Sequence, residues 1–269
     1  MRKITIILGL LAQVIFVSAQ TTIISWNLRD FGQTKSDSAI AVIAKEVKHA
    51  DIVAIQEVVG IDIGGAKAVA RLHDELNRTG SKWDYAMSDR TNSSSNYVSE
   101  RYAYFWKTSK VKLIGRAFLD EGLDEEIERE PYVARFAIDQ DTVLVFNFHA
   151  RSSKAHPEQE IKHFKYLPLR YANDNIIILG DFNVVSHHTV FNPLIKLGFK
   201  LVLGNEKTTL KRKYGPNGEY LSKGNDNIFY DAKAIKKLDG GVNDYVTDLY
   251  KNCRISDHLP VWMTFEFED

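Results

Sequence analysis

Seven stretches of this chain each end on a residue able to do chemistry. They are Asn27 in "SWNLRDFG", Glu57 in "IVAIQEV", Glu100 in "SERYAYFW", His149 in "FNFHARSS", Asp181 and Asn183 in "ILGDFNV", Asp226 in "GNDNIFYD", and Asp257 with His258 in "ISDHLPVW". One acid or amide in such a place is ordinarily a cap or turn residue. Seven at the polar ends of apolar runs point instead to a shared cleft. Asp181 is the sharpest case, because a carboxylate framed by apolar residues must be paired, bound to metal, or facing a cleft. Glu57, Asp257 and Asn27 offer hard oxygen ligands, which suit Mg²⁺ or Mn²⁺, with Ca²⁺ also admissible, rather than zinc. No CxxC or HExxH pattern competes. Two histidines with carboxylates available as partners suit general acid–base work. Metal plus histidines suggests hydrolysis of a phosphate ester.

The elements that must position these residues are mostly short strands. Runs rich in Val, Ile, Phe and Tyr occur at 22–26, 51–56, 101–106, 132–138, 142–148, 175–179, 227–230 and 260–267. "DQD" at 139–141 joins two of them as a hairpin. Apolar spacing predicts helices over 36–50, 66–79 and 157–172, the last bent or broken at Pro168. Strands with scattered helices and no repeat predict one α/β sandwich, with loops at 88–98, 119–130 and 204–225.

The chain has 269 residues, 44% hydrophobic and 26% charged, which suits one globular domain. Its first 20 residues, "MRKITIILGLLAQVIFVSAQ", read as a secretory signal cut near Ala19, leaving a catalytic unit over 20–269 that is secreted or periplasmic. No later apolar run is long enough to span a membrane, so stable membrane association is not expected. Loss of Arg2 and Lys3 turns a net charge of zero slightly negative, so a polyanion must be held by a local patch or by metal. Cys253 is the lone cysteine and can form no internal disulfide.

The ordered pieces "WNLRDFGQTK", "DIVAIQEV", "SERYAYFW", "REPYVARF", "HA" at 149–150, "GDFN" and "SDHLPV" resemble the endonuclease/exonuclease/phosphatase superfamily, and within it the secreted deoxyribonuclease I group. The resemblance spans residues 22–264. It implies a four-layer α/β/β/α sandwich of two mixed sheets, a DNA substrate and a monomer. It also implies that Glu57 is the main metal ligand, helped by Asn27 and Asp257, that His149 pairs with Glu100, and that His258 pairs with Asp226. The two histidines would flank the scissile phosphate, one activating water and the other protonating the leaving 3′ oxygen. Asp181 and Asn183 would hold the phosphate, the attacking water or a second metal. Arg29 and Arg129, and less directly Arg101, would contact DNA phosphates.

The chain also departs from that group. Relatives carry an arginine for the minor groove after "QEV", where this chain has Val59, and a stacking tyrosine where it has Val98. The paired cysteines are missing, which removes the expected disulfide, and a structural Ca²⁺ is put in question. The runner-up reading is a sphingomyelinase-like lipid hydrolase or an inositol-phosphate phosphatase on the same scaffold. The polar character of loops 88–98 and 204–225 speaks against a lipid enzyme. "KTTLKRK" at 207–213 is either a solvated loop or a phosphate-tracking one.

Overall fold

The computed structural model describes residues 20–32, 34–95, 99–248 and 255–268. The expected export signal, Val98 and Cys253 lie outside the described residues. Thirteen strands are present among the described residues: β1 Thr21–Phe31, β2 Ile52–Val59, β3 Trp83–Met87, β4 Glu100–Lys107, β5 Val111–Leu113, β6 Phe118–Leu119, β7 Tyr132–Ile138, β8 Asp141–His149, β9 Asn175–Asp181, β10 Phe199–Leu201, β11 Asp226–Asp231, β12 Ile235–Val242 and β13 Val261–Phe267. They form two mixed sheets, ordered β12-β13-β1-β2-β4-β3 and β10-β11-β9-β8-β7-β5, with β6 also paired to β7. The β7–β8 hairpin turns where expected, with Ile138 opposite Asp141 and Asp139 at positive φ.

Period-two alternation divides each strand's apolar residues between two cores. Ile23, Ile52, Ala54, Tyr104, Phe136, Val145, Ile177 and Ile228 fill the space between the sheets. Ile24, Val53, Ile55 and Phe105 face outward and are covered by α1 (Asp37–Val47) and α2 (Gly64–Asn77). Phe146, Phe148, Ile178 and Phe229 do the same on the other sheet, under short helices that include α3 (Glu158–Ile161), α4 (Leu167–Arg170) and α5 (Asn192–Lys196). The result is the four-layer α/β/β/α sandwich.

Two expectations need correction. The helix predicted over 157–172 is α3, a 3-10 turn at Phe164–Tyr166 and α4. The break precedes Pro168, which sits in the first turn of α4, where its missing N–H costs nothing. Strands β3, β5, β6, β10 and β12 add to those expected from the apolar runs. β3, β5, β10 and β12 are the sheet edges, β6 is a two-residue strand, and β12 is mostly half-buried, with Lys236 and Asp239 exposed, so it gives little hydrophobic alternation to read.

Candidate active site

The alternation that builds the inter-sheet core also builds the site. Along the inner face of each strand the residues turn from apolar to polar at one end. The series run Ile23, Ser25, Asn27 on β1; Tyr104, Tyr102, Glu100 on β4; Val145, Asn147, His149 on β8; Ile177, Leu179, Asp181 on β9; and Ile228, Asp226 on β11. A buried polar bridge closes the sheets just beneath. Gln56 donates to Ser25 Oγ at 3.1 Å and Asn147 Oδ1 at 2.6 Å, and Asn147 donates to the Ile55 carbonyl at 3.0 Å. These cross-sheet contacts, which leave only Gln56 Oε1 of the bridging amides without a partner, fix the spacing of two sheets that apolar packing alone would leave free to slide.

Glu57 reaches the site against its parity, since Val53 and Ile55 on the same alternate face point outward. The register of β2 shifts between Ile55 and Val58, and Glu57 takes a φ of 58°. β1 likewise shifts between Asn27 and Phe31, with Arg29 and Asp30 at positive φ. These bulges re-aim the side chains at a strand end, and strain of this kind collects at functional sites. Gly180, at φ 139°, is needed because a Cβ there would come within 1.8 Å of the Phe148 carbonyl oxygen. It lets β9 press against β8 so that Asp181 stands opposite His149.

The geometry centres on Asp181. His149 Nδ1 donates to Glu100 at 2.9 Å and His258 Nδ1 donates to Asp226 at 2.9 Å. The free Nε2 of each imidazole lies 3.5 Å from the same Asp181 oxygen, Oδ2. Asn27 Nδ2 donates to that oxygen at 3.1 Å and to Glu57 at 2.8 Å, and Glu57 stands 3.8 Å from His149 Nε2. Burial alone would lower both histidine pKa values. Glu100 reverses this for His149, and Asp226 with Asp181 carries His258 up to about 10. Burial raises the Asp181 carboxyl, against the pull of the His258 and His149 imidazoles. A cleft of about 350 Å³ opens over Glu57, Glu100, Arg129 and His149, walled also by Asp30, Val59, Gly60 and Ile61.

The structure therefore brings Asn27, Glu57, Glu100, His149, Asp181, Asp226 and His258 together. Asp257 is beside them but is ion-paired to Arg29 at 2.8 Å. Asn27 stands differently from the ligand role expected of it. Its Oδ1 accepts from the Arg29 amide at 2.9 Å, because the bulge folds that amide back, and its NH₂ faces the carboxylates. Arg129 is buried and donates to the carbonyls of His149 and Ala150, so most of its guanidinium holds the His149 turn. Asn183 is tied to Ala150 and Asn225. Arg101 donates to the Ser88 carbonyl at 2.8 Å and stands 4.0 Å from Asp89.

Several supports lie outside the site residues expected from the sequence. Lys35 Nζ donates to the Ile255 carbonyl at 2.6 Å and senses the charges of Asp30, Glu57 and Asp257, which hold its pKa up against a larger lowering by burial. Thr208 donates to Asp226 at 2.5 Å. Glu160, fully buried on α3, accepts from the amides of Glu128 and Arg151 and so joins the turns beside Arg129 and His149. The carboxylates of Glu57 and Asp257 are donors that a hard divalent cation would accept. Among the described residues, Asp181, Asp226 and His258 form a group whose ligand atoms lie within 4.8 Å of one another and could hold a metal ion.

A fold and site of this kind define a phosphoesterase scaffold, and sequence comparison agrees. Residues 24–258 match the Endonuclease/Exonuclease/phosphatase family, and the chain belongs to it. It is 27% identical to a protein named Deoxyribonuclease from Thioalkalivibrio sp. (strain K90mix), over 92% of this chain and 72% of that one. It is 28% identical to Deoxyribonuclease-1 of Rattus norvegicus, over 66% of this chain and 65% of the rat protein, slightly under two thirds of the latter's length. Among solved structures, an endonuclease/exonuclease/phosphatase from Bacteroides vulgatus superimposes with a TM-score of 0.69 at 15% identity, covering 93% of this chain and all of that one. D. rerio TDP2 complexed with single strand DNA product gives 0.65 at 16% identity, over 92% of this chain and 99% of the other. These two likenesses speak to fold alone.

Proposed function

We propose that the protein is a metal-dependent endonuclease that hydrolyses the phosphodiester bonds of DNA. The observation that carries this is the convergence of two carboxylate-backed imidazoles on one Asp181 oxygen. A phosphate beside that oxygen would have an imidazole on either side. One imidazole, neutral, takes a proton from the attacking water. The other, protonated, gives one to the leaving 3′ oxygen. Glu100 and Asp226 fix each ring so that Nδ1 keeps its proton and Nε2 does the exchange. Asp181 and Asn183 orient the water and the phosphate. Arg129 lines the cleft and Arg29 is half-exposed beside Asp257, which supports reading both as contacts for phosphate oxygens. Mg²⁺ or Mn²⁺, held by Glu57 with Asp257 and a turned Asn27, would neutralise charge developing on the phosphate.

The names of the deoxyribonuclease relatives support DNA as substrate. The amphiphilic start of the chain supports export through a signal cut near Ala19, and we read the mature protein as a monomer over residues 20–269. The test is incubation of purified protein with plasmid DNA, RNA and sphingomyelin, each with Mg²⁺ and with EDTA. Plasmid should be nicked and then linearised with Mg²⁺, and EDTA should stop it. Undiminished cutting in EDTA removes the metal. Hydrolysis of sphingomyelin with DNA left intact removes the nuclease reading.

A further inference from the structure

The connection from β2 to α2 exposes two isoleucines, Ile61 at 57%, which lines the cleft, and Ile63 at 66%, two residues further along the same turn. Single exposed aliphatic side chains need no explanation, but two within three residues beside a reactive centre do. Ile61 lines the same 350 Å³ cleft as Glu57, Arg129 and His149, together with Val58, Val59 and Gly60. The cleft therefore has one charged wall and one aliphatic wall.

The aliphatic wall is held in place. A Cβ on Gly60 would meet the Ser99 carbonyl oxygen at 3.1 Å and Glu100 Cα at 3.3 Å, and one on Gly65 would meet the Val59 carbonyl oxygen at 2.1 Å. These close approaches press the connection onto β4 on one side and onto the first turn of α2 on the other. Asp62 accepts from the Gly64 amide at 2.6 Å and fixes the turn between the two isoleucines.

We propose that this apolar lip packs against the nucleoside next to the scissile phosphate, and that it makes the enzyme prefer unpaired over duplex DNA. The proposal rests on the nuclease reading above. An aliphatic wall offers no hydrogen bond to a base edge, so its contact is with a base face or a sugar. In a duplex both faces of each base are covered by stacking. Only an unstacked nucleotide presents a free face while its phosphate sits against the charged wall, and every base has such a face, so the contact tolerates sequence. A bilayer fits this lip poorly. Two side chains bury little area.

The experiment measures kcat and KM on one oligonucleotide, single-stranded and as a duplex, for wild type and for the double variant Ile61→Ser, Ile63→Ser. Ile195→Ser, 42% exposed and absent from the cleft lining, serves as the surface control. Wild type should favour the single strand. The double variant should raise KM for the single strand about five- to tenfold with kcat retained, and leave the duplex KM nearly unchanged. Equal changes on both substrates, or none, overturn the proposal. So does loss of binding to phosphatidylcholine vesicles with unchanged oligonucleotide KM, which would make the lip a membrane contact. If wild type cuts neither oligonucleotide, the nuclease reading itself has failed and this inference falls with it.

Discussion

The two histidine–carboxylate pairs reach one geometry by opposite constructions. His149 stands at the end of β8 in one sheet, and its partner Glu100 begins β4 in the other. His258 precedes β13, and its partner Asp226 begins β11 across the gap. Each pair thus ties the two sheets together, in opposite senses. The first pair is fixed by strand ladders, with Tyr102 Oη accepting from the His149 amide at 3.2 Å. The second histidine lies in a connection held by separate polar contacts. Trp26 Nε1 donates to the His258 carbonyl at 2.9 Å, Ser256 Oγ accepts from the His258 amide at 3.1 Å and donates to the Asn27 carbonyl at 2.7 Å, and the Leu259 amide donates to the Thr208 carbonyl at 2.7 Å. A ladder spreads the removal of one bond over many others. A connection held by single bonds does not. The His258 half should therefore be the more easily displaced.

The strongest test removes each imidazole. His149→Ala and His258→Ala should each lower kcat by roughly 10²–10⁴, with circular dichroism unchanged. If both act in one transition state, the double variant should lose far less than the product of the single losses. Near-normal turnover in either folded single variant would break the pairing.

A second test separates the halves by titration. In the metal-free protein the His258 imidazole titrates at about 10, held there against burial by Asp226 and Asp181. A raised histidine stabilises the fold fully below the unfolded value of about 6.5, and that contribution is lost as pH rises through the folded value. Asp226→Asn should bring the His258 ring titration, followed by NMR in EDTA, well down from that position and flatten the alkaline fall in Tm. The His149 titration should move much less, since its main partner is Glu100. Equal movement of both rings would mean that the site titrates as one unit through Asp181.

Much of this site is legible in the sequence because its residues obey the alternation of their strands. Glu100, His149 and Asp226 each fall at the apolar run's end on the face that the core residues already mark. Glu57 breaks that parity and is placed by a bulge, for which "QEVVG" carries no readable signal. Lys35, Ser256 and Trp26 fall in stretches that the family resemblance marks, but what they support cannot be read there, because a partner lies far off in sequence: 220 residues for Lys35, 229 for Ser256 and 232 for Trp26. The aliphatic lip escapes a sequence reading for a related reason. Ile61 and Ile63 follow a strand and precede a helix, so they read as part of an apolar pattern until the fold leaves them exposed.

A smaller effect should distinguish the supports themselves. Thr208→Val keeps shape but removes the hydroxyl that donates to Asp226 and accepts from the amides of Asn225 and Asp226. Removing such buried hydrogen bonds costs on the order of 1–3 kcal/mol, so about a tenfold loss of kcat is expected. Tyr102→Phe removes one bond to the ladder-held His149 and should cost only a few-fold. The reverse order would show that the strand-borne pair is the fragile one.

The smallest effect concerns charge outside the centre. Within "KTTLKRK" the residues alternate in duty. Thr208, Thr209 and Leu210 are buried, and Thr209 pairs with His258 while Leu210 pairs with Leu221. Lys207, Arg212 and Lys213 are exposed, and Lys211 is half-buried. The stretch is thus part of the His258 wall on one side and a row of cations on the other. A chain with a formal net charge of zero gains nothing from net charge in holding DNA, so local cations must do it. Replacing Lys207, Lys211, Arg212 and Lys213 with Ser leaves the buried threonines in place. DNA binding should weaken several-fold at low salt, and the slope of log affinity against log salt should fall by about 0.9 for each phosphate no longer neutralised. The single-strand preference set by the aliphatic lip should remain, because the lip reads a base face and the cations read the backbone. An unchanged slope would mean that DNA leaves the cleft on the Glu100–His149 side, and that this row of charge is only solvated surface.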